Sequence, residues 1–475
     1  MKDIKADIAV IGAGSGGLSV AAGAAQLGLK VVLFERGEMG GDCLNYGCVP
    51  SKALIAAGKA AQTIRTASRF GIADAEPSVD WSAVKAHIAG VIETIAPIDS
   101  QERFEGLGVT VVRESARFLD PRTIASESTR VRARRIVIAT GARAFAPPIP
   151  GLSDTAYLTN ETIFSLPDFP RRLVILGGGA IGVELGQAFR RLGAEVTIVE
   201  AAHALGPFDE DVRAVALAAL KREGVVVREG ARAVGVTGTQ GAVRVEIETS
   251  GGREVVEGSH LLVAVGRKAV TDGLDLERGG VDRNAQGVVV DAWLRSTSNP
   301  RVWAVGDVAG REQLTHAAGW HASAFVRSAL FRARTRADAA PIPAAVYCEP
   351  EIAQIGLSET AARARFGDKV KTVAWSFHEN DRAQAERDHE GFARLVVGPG
   401  AKILGAQIVG AGAADLVQIV ALAMVNKLGL RALTGVVAPY PTRGEIIKRA
   451  AGAYYTPFLF SAGTRRLVGL LNKLP

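Results

Sequence analysis

The 475-residue chain predicts an α/β protein built around two Rossmann-like dinucleotide-binding domains. Three observations carry this. An apolar run leads into Gly12-Ala13-Gly14-Ser15-Gly16-Gly17, and the same pattern recurs at Gly177-Gly178-Gly179-Ala180-Ile181-Gly182. Several later apolar runs also end in glycine turns, as strands of a parallel sheet do where they meet ligands. At 48% hydrophobic residues, the chain can bury a large core divided among several lobes.

In chain order, Ile8 to Ile11 reads as a buried strand, Leu18 to Leu29 as a small-residue helix, and Val31 to Phe34 as a second strand ending at Glu35. The fingerprint is complete. Gly12 makes the tight turn, Gly14 lets a pyrophosphate approach the backbone, Gly17 permits close helix–strand packing, and Glu35 accepts a ribose hydroxyl. The second unit runs from Leu173 through Gly177, Gly179 and Gly182, continues as a helix to Leu192, and closes with the strand Glu195 to Val199 at Glu200. Two such units imply two dinucleotides. A carboxylate at Glu200, with no Arg immediately after it, suits an adenosine 2′-hydroxyl and repels a 2′-phosphate, so NAD(H) is expected over NADP(H).

Three further buried strands end in turns. They bring Thr140 and Gly141, Gly266 and Arg267, and Gly306 and Asp307 to carboxyl ends. The Pro147–Gly151 stretch reads as a linker and Ala339–Pro343 as a boundary. The expected segments are 1–150, 151–270, 271–340, which returns to the first domain, and 341–475.

Cys43 and Cys48 stand out because the chain has only three cysteines, the other being Cys348. The intervening Asn and Gly allow a tight turn, and Pro50 suits the first turn of a following helix. That places Cys48 at a helix N-terminus, which favours a thiolate. A redox dithiol is the expected chemistry. The alternatives are a zinc half-site or a structural staple, but no second Cys or His pair lies nearby, so no metal site is expected. Cys348 and His321 are expected to be packed residues. A dithiol supplied by two dinucleotides suggests a nicotinamide and a flavin in series.

Taken together, these motifs closely resemble the class I pyridine nucleotide–disulfide oxidoreductases, the family of glutathione reductase, dihydrolipoamide dehydrogenase and mercuric reductase. Ser51-Lys52, Glu184, Tyr347–Ala353, Ile403–Ala406 and Tyr440-Pro441-Thr442 with Glu445 extend the resemblance over nearly the whole chain. It implies FAD on the first domain, NAD(P) on the second, and a C-terminal α+β dimerisation domain in a homodimer. It also implies Glu35 on the adenosine ribose, Asp307 near the ribityl chain, and Lys52 paired with Glu184 beside the flavin. Cys48 would be the charge-transfer sulfur and Cys43 the interchange sulfur. A surface pair on two helices is the alternative for Lys52 and Glu184.

The departures from the family's pattern matter as much. Disulfide reductases carry a His just before Pro-Thr, held by the downstream Glu. Here Tyr440 stands there, and a phenol with pKa about 10 is a poorer base at neutral pH than an imidazole at about 6.5. Tyrosine there resembles mercuric reductase, yet no C-terminal cysteine pair follows to receive a metal. Asp42 adds a negative charge beside Cys43, expected to raise that thiol's pKa unless a cation compensates. The expected reaction passes electrons from NADH, through flavin and the Cys43–Cys48 disulfide, to a thiol-reactive acceptor: a metal ion, a quinone or a protein disulfide. A dihydrolipoamide dehydrogenase, or a non-enzymatic flavin-bearing scaffold, is the alternative.

Charge and hydropathy complete the reading. No signal-peptide pattern or run of about 18 apolar residues is seen, so a cytoplasmic protein is expected. The net charge is +7, and after Glu445 the chain has cations but no Asp or Glu. This basic amphipathic tail reads as a dimer-packing arm, with membrane-surface contact as the alternative. Nucleic-acid binding is not expected, since no recognised module accompanies the charge.

Overall fold

A computed structural model describes residues 1–239 and 241–474. The chain divides into two compact units: one comprises Met1–Thr66, Asp74–Ala202 and Arg228–Ala339; the other comprises Ala67–Ala73, His203–Val227 and the chain from Ala340 onward.

In the first unit, the strands Thr110–Val112, Val31–Phe34, Lys2–Ile11 and Thr129–Ile138 lie side by side and parallel, and Val302–Ala304 also pairs with Thr129–Ile138. An antiparallel hairpin, Arg117–Asp120 and Thr123–Ala125, extends the edge. Lys2–Ile11 is longer than the apolar run suggested. Its first half alternates exposed and buried residues, while Ile8, Val10 and Ile11 are buried, so only the second half reads as hydrophobic. Burying each such side chain contributes about 1.5–3 kcal/mol.

The helix between the first two parallel strands spans Ser15–Gln26, so it starts and stops earlier than the expected Leu18–Leu29. Gly14 is its N-cap, and Gly28, at φ +78°, turns the chain out. The Gly28 and Leu29 N–H groups donate to Ala25 and Ala24 carbonyls, the Schellman pattern that satisfies a helix end.

A second parallel set, Glu195–Val199, Arg172–Leu176 and His260–Val263, carries the helix Ala180–Arg191. Beside it is an antiparallel meander of Arg232–Thr239, Ala242–Thr249 and Gly252–Gly258. The second unit holds a five-stranded antiparallel sheet, with Ile352–Gly356, Lys402–Val409 and Phe392–Gly398 at its centre. Ile355, Leu395 and Ile408 share a core with Leu416, Val420, Ile446 and Ile447 from two helices. This is the α/β architecture with an added α+β lobe that the sequence predicts.

Candidate active site

Both glycine turns are sterically compelled. Gly12 has φ +105°, and a Cβ there would lie 2.4 Å from the Ala139 carbonyl oxygen; a Cβ on Gly17 would lie 1.9 Å from the Gly12 oxygen. The second unit repeats this arrangement. Gly177 has φ +106° with the Ala264 oxygen at 2.4 Å, and Gly182 meets the Gly177 oxygen at 2.0 Å. The terminal acids also match. Glu35 accepts from the Ala13 and Gly37 N–H groups at 2.6 and 2.7 Å, and Glu200 from Gly178 and Ala202 at 2.8 and 2.9 Å. Each carboxylate thereby fixes its own glycine turn, and retains lone pairs for a ribose hydroxyl. Gly14 and Gly179 are the N-caps of the two helices, with no side chain capping either. Their first N–H groups are thus left for an anion.

The first turn opens on a cavity of about 550 Å³. Gly12, Gly14, Glu35, Thr140, Gly141, Arg267, Gly306, Asp307 and Cys43 all line it, so the strand-end residues singled out in the sequence converge. Gly141 and Gly266 have positive φ, and the Thr140 hydroxyl donates to the Val270 carbonyl at 2.6 Å. A side-chain-free turn beneath a helix N-terminus, with a carboxylate on each side, fits a dinucleotide such as FAD.

Cys43 lies in the short helix Gly41–Asn45, and Cys48 opens the helix Cys48–Arg65. Both are free thiols, Cys43 half-buried and Cys48 exposed. Cys48 Sγ lies 3.3 Å from Thr315 Oγ1. The Cys48 thiol is lowered to about 6, chiefly by its hydrogen bond with Cys43, with help from Thr315 and the Lys52 charge. Cys43 moves the opposite way, raised by the same hydrogen bond, by burial and by the charge on Cys48. The shared hydrogen bond thus favours the thiolate on Cys48 and the proton on Cys43.

Four residues from Cys48, Lys52 Nζ lies 2.8 Å from Glu184 Oε2, and Glu184 is buried. The helices bearing them cross closely. A Cβ on Gly58 would come within 3.1 Å of the Ala188 backbone.

Asp42 is not left bare. Arg267 approaches it at 3.1 Å and Asp307 at 3.7 Å, while the buried Asn160 donates to Asp42 at 3.0 Å. The expected effect of Asp42 on Cys43 gives way to this compensation. Asp42 instead weakly opposes the lowering of Cys48. Burial pushes the Asp307 carboxyl up, against the pull of Arg267. Asn160 and Thr315 were missed by sequence reasoning. Thr315 adjoins a segment already of interest, but nothing local distinguishes Asn160.

In the second unit, Tyr440 is 71% exposed and its hydroxyl donates to Asp381 at 2.8 Å. That bond, the Asp381 charge and Glu445 hold the phenol above its ordinary value of about 10. Glu445 pairs with Arg449 at 2.8 Å. His321 and Cys348 are buried: His321 Nδ1 accepts from the Gly306 N–H, and the Cys348 thiol donates to the Pro350 carbonyl.

The family model described as pyridine nucleotide-disulphide oxidoreductase matches residues 6–322, and the dimerisation domain of the same family matches residues 342–451. The chain belongs to this family. It is similar to mercuric reductase of Streptomyces lividans, 34% identical with 94% of this chain and 96% of the relative covered. It is also similar to dihydrolipoyl dehydrogenase of Thermus scotoductus, 35% identical with 94% and 97% covered. Among solved structures it resembles the Cu(II) complex of the HOCl-induced flavoprotein disulfide reductase RclA from Escherichia coli. There the TM-score is 0.82 at 26% identity, with 93% and 98% covered. The protein is therefore an oxidoreductase of the flavin- and pyridine-nucleotide-binding class, which removes the non-enzymatic scaffold alternative. Among the described residues no helix is long and apolar enough to cross a membrane.

Proposed function

We propose that this enzyme passes electrons from NADH, by way of flavin and the Cys43–Cys48 pair, to a thiol-reactive acceptor, foremost a thiophilic metal ion such as mercuric or cupric ion. FAD, when bound, supplies a carrier that accepts a hydride equivalent from nicotinamide and delivers an electron pair to sulfur. The first glycine turn, Glu35, Thr140, Gly141 and Asp307 hold that group; Gly177, Gly179, Gly182 and Glu200 hold the nicotinamide dinucleotide. Lys52, oriented by Glu184, stabilises negative charge developing beside Cys48. Cys48 is the thiolate of the reduced pair, and Cys43 keeps its proton until an acceptor arrives. The reading places a homodimer in a reducing cytoplasm, where the pair cycles. The tail beyond the dimerisation domain takes no part in this chemistry and is a contact surface for protein or membrane.

The observation that carries the acceptor assignment is the state of Tyr440. Its phenol is tied to Asp381 and held above its ordinary value, so it is no proton acceptor at neutral pH. Exchange with a small disulfide needs a group that moves protons on and off the attacking thiol. A thiophilic metal ion displaces thiol protons by itself. The balance for mercury is Hg²⁺ + NADH giving Hg⁰, NAD⁺ and H⁺. For copper, two Cu²⁺ become two Cu⁺ per NADH. The relative named mercuric reductase and the Cu(II) complex of RclA support this choice.

A second reading is dihydrolipoamide dehydrogenase with another acid/base group, favoured by similarity to proteins of that name. Anaerobic NADH oxidation is measured with mercuric ion, cupric ion, a quinone, a protein disulfide and lipoamide. The proposal expects turnover with a metal ion well above that with lipoamide, and loss in Cys43→Ala. Preferential turnover with lipoamide moves the second reading to first place.

A further inference from the structure

The chain beyond Ala451 lies outside the matched dimerisation domain. Helix Glu445–Leu459 ends in Phe458, Leu459 and Phe460, all largely exposed. Ser461 then caps a second helix, Ala462–Leu471, its hydroxyl accepting from the Thr464 N–H at 3.2 Å. No residue of this second helix is buried.

Its two sides differ sharply. At 3.6 residues per turn, Leu467, Leu470 and Leu471 share one side, continued by Leu474 just past the helix end. Arg465 falls on the opposite side, and Arg466 and Lys473 flank the leucines along one edge. The four leucines are 53–66% exposed. Phe458, Leu459 and Phe460 just before the helix are exposed as well, so seven exposed apolar side chains fall within 17 residues of sequence.

Charge selects what covers it. From Ile446 to Leu474 the sequence has Lys448, Arg449, Arg465, Arg466 and Lys473 but no Asp or Glu. Anionic headgroups attract an arm of this charge, and the acyl boundary beneath them receives the leucines. At ten residues, about 15 Å, the helix is too short to span a hydrocarbon core of about 30 Å. It is built to lie in the interface plane, with leucines below and cations at headgroup level. We propose that the helix Ala462–Leu471 seats this enzyme on an anionic lipid surface.

The test is co-sedimentation of the full-length FAD-loaded protein with vesicles of phosphatidylcholine and phosphatidylglycerol, compared with phosphatidylcholine alone. The protein should pellet with the anionic vesicles only and be released by salt. Arg465→Gln with Arg466→Gln should weaken binding roughly thirtyfold. Leu467→Ser with Leu471→Ser should abolish it; because these side chains are exposed, fold and flavin content should be retained. Flavin reduction by NADH should be equal in all forms, so failure here leaves the redox reading standing. Protein remaining in the supernatant, equal pelleting with neutral vesicles, or pelleting unmoved by both double variants overturns the proposal. Loss of the dimer by sedimentation equilibrium in the leucine variant, without vesicle binding by the native protein, overturns it in favour of a second copy as occupant.

Discussion

Cys48 has a hydrogen bond from Cys43, another with Thr315 and the charge of Lys52, all favouring its thiolate; partial desolvation by its surroundings and Asp42 oppose them. The favourable set prevails, leaving the thiol at about 6. After anaerobic two-electron reduction, a long-wavelength band from the Cys48 thiolate should be present at neutral pH. It should fade as pH drops through about 6, because protonation removes the donor. Cys48→Ala should abolish it. Cys43→Ala should retain a band in the resting enzyme, titrating at higher pH because the largest favourable contact is gone. Persistence of the band in Cys48→Ala would contradict the assignment. Arg267 is the second residue to test. Arg267→Gln leaves the Asp42 charge less compensated, so the Cys48 pKa should rise, read from ultraviolet thiolate absorbance against pH. An unchanged or lower value would show that the Asp42–Arg267 contact does not reach the sulfur.

The two strand–turn–helix elements were legible in the sequence because everything that makes them is local. A glycine forced to positive φ, a second where the helix meets the first turn and an acid closing the next strand occur at the same spacing in both units. The helix limits were less legible, since Gly14 as N-cap and Gly28 as C-terminal turn move the start and end by three residues from the apolar pattern. Asn160, Thr315 and Asp381 were not legible. Each acts on a site residue distant in sequence, and no periodicity marks such a contact. Two outcomes are expected at this scale. Gly182→Ala places a Cβ 2.0 Å from the Gly177 oxygen, which should cost about 1–3 kcal/mol, seen as a lower thermal midpoint with weakened NADH binding. Glu200→Arg should shift kcat/KM toward NADPH by removing the carboxylate that disfavours a 2′-phosphate; native preference for NADPH would sink the NADH assignment.

At the scale of the molecule, the first unit carries two glycine turns, an Asp42 compensated by Arg267 and a polarised dithiol. The C-terminal lobe carries Tyr440 where disulfide reductases have a base. The sequence exposed this substitution, because the missing His is a single readable position. What it did not expose is that Asp381 ties up the phenol, which takes Tyr440 further from being a proton acceptor. A division of competence is therefore expected: rapid reduction of flavin and disulfide, followed by slow transfer to any acceptor that needs a protein base. Stopped-flow reduction by NADH, set beside steady-state turnover with lipoamide in native enzyme and Tyr440→His, tests it most directly. Fast reduction is expected in both, with slow native turnover with lipoamide and an increase in the variant toward the roughly 10²–10⁴-fold that acid–base assistance supplies. Fast native turnover with lipoamide, lost in Tyr440→Phe, would contradict it.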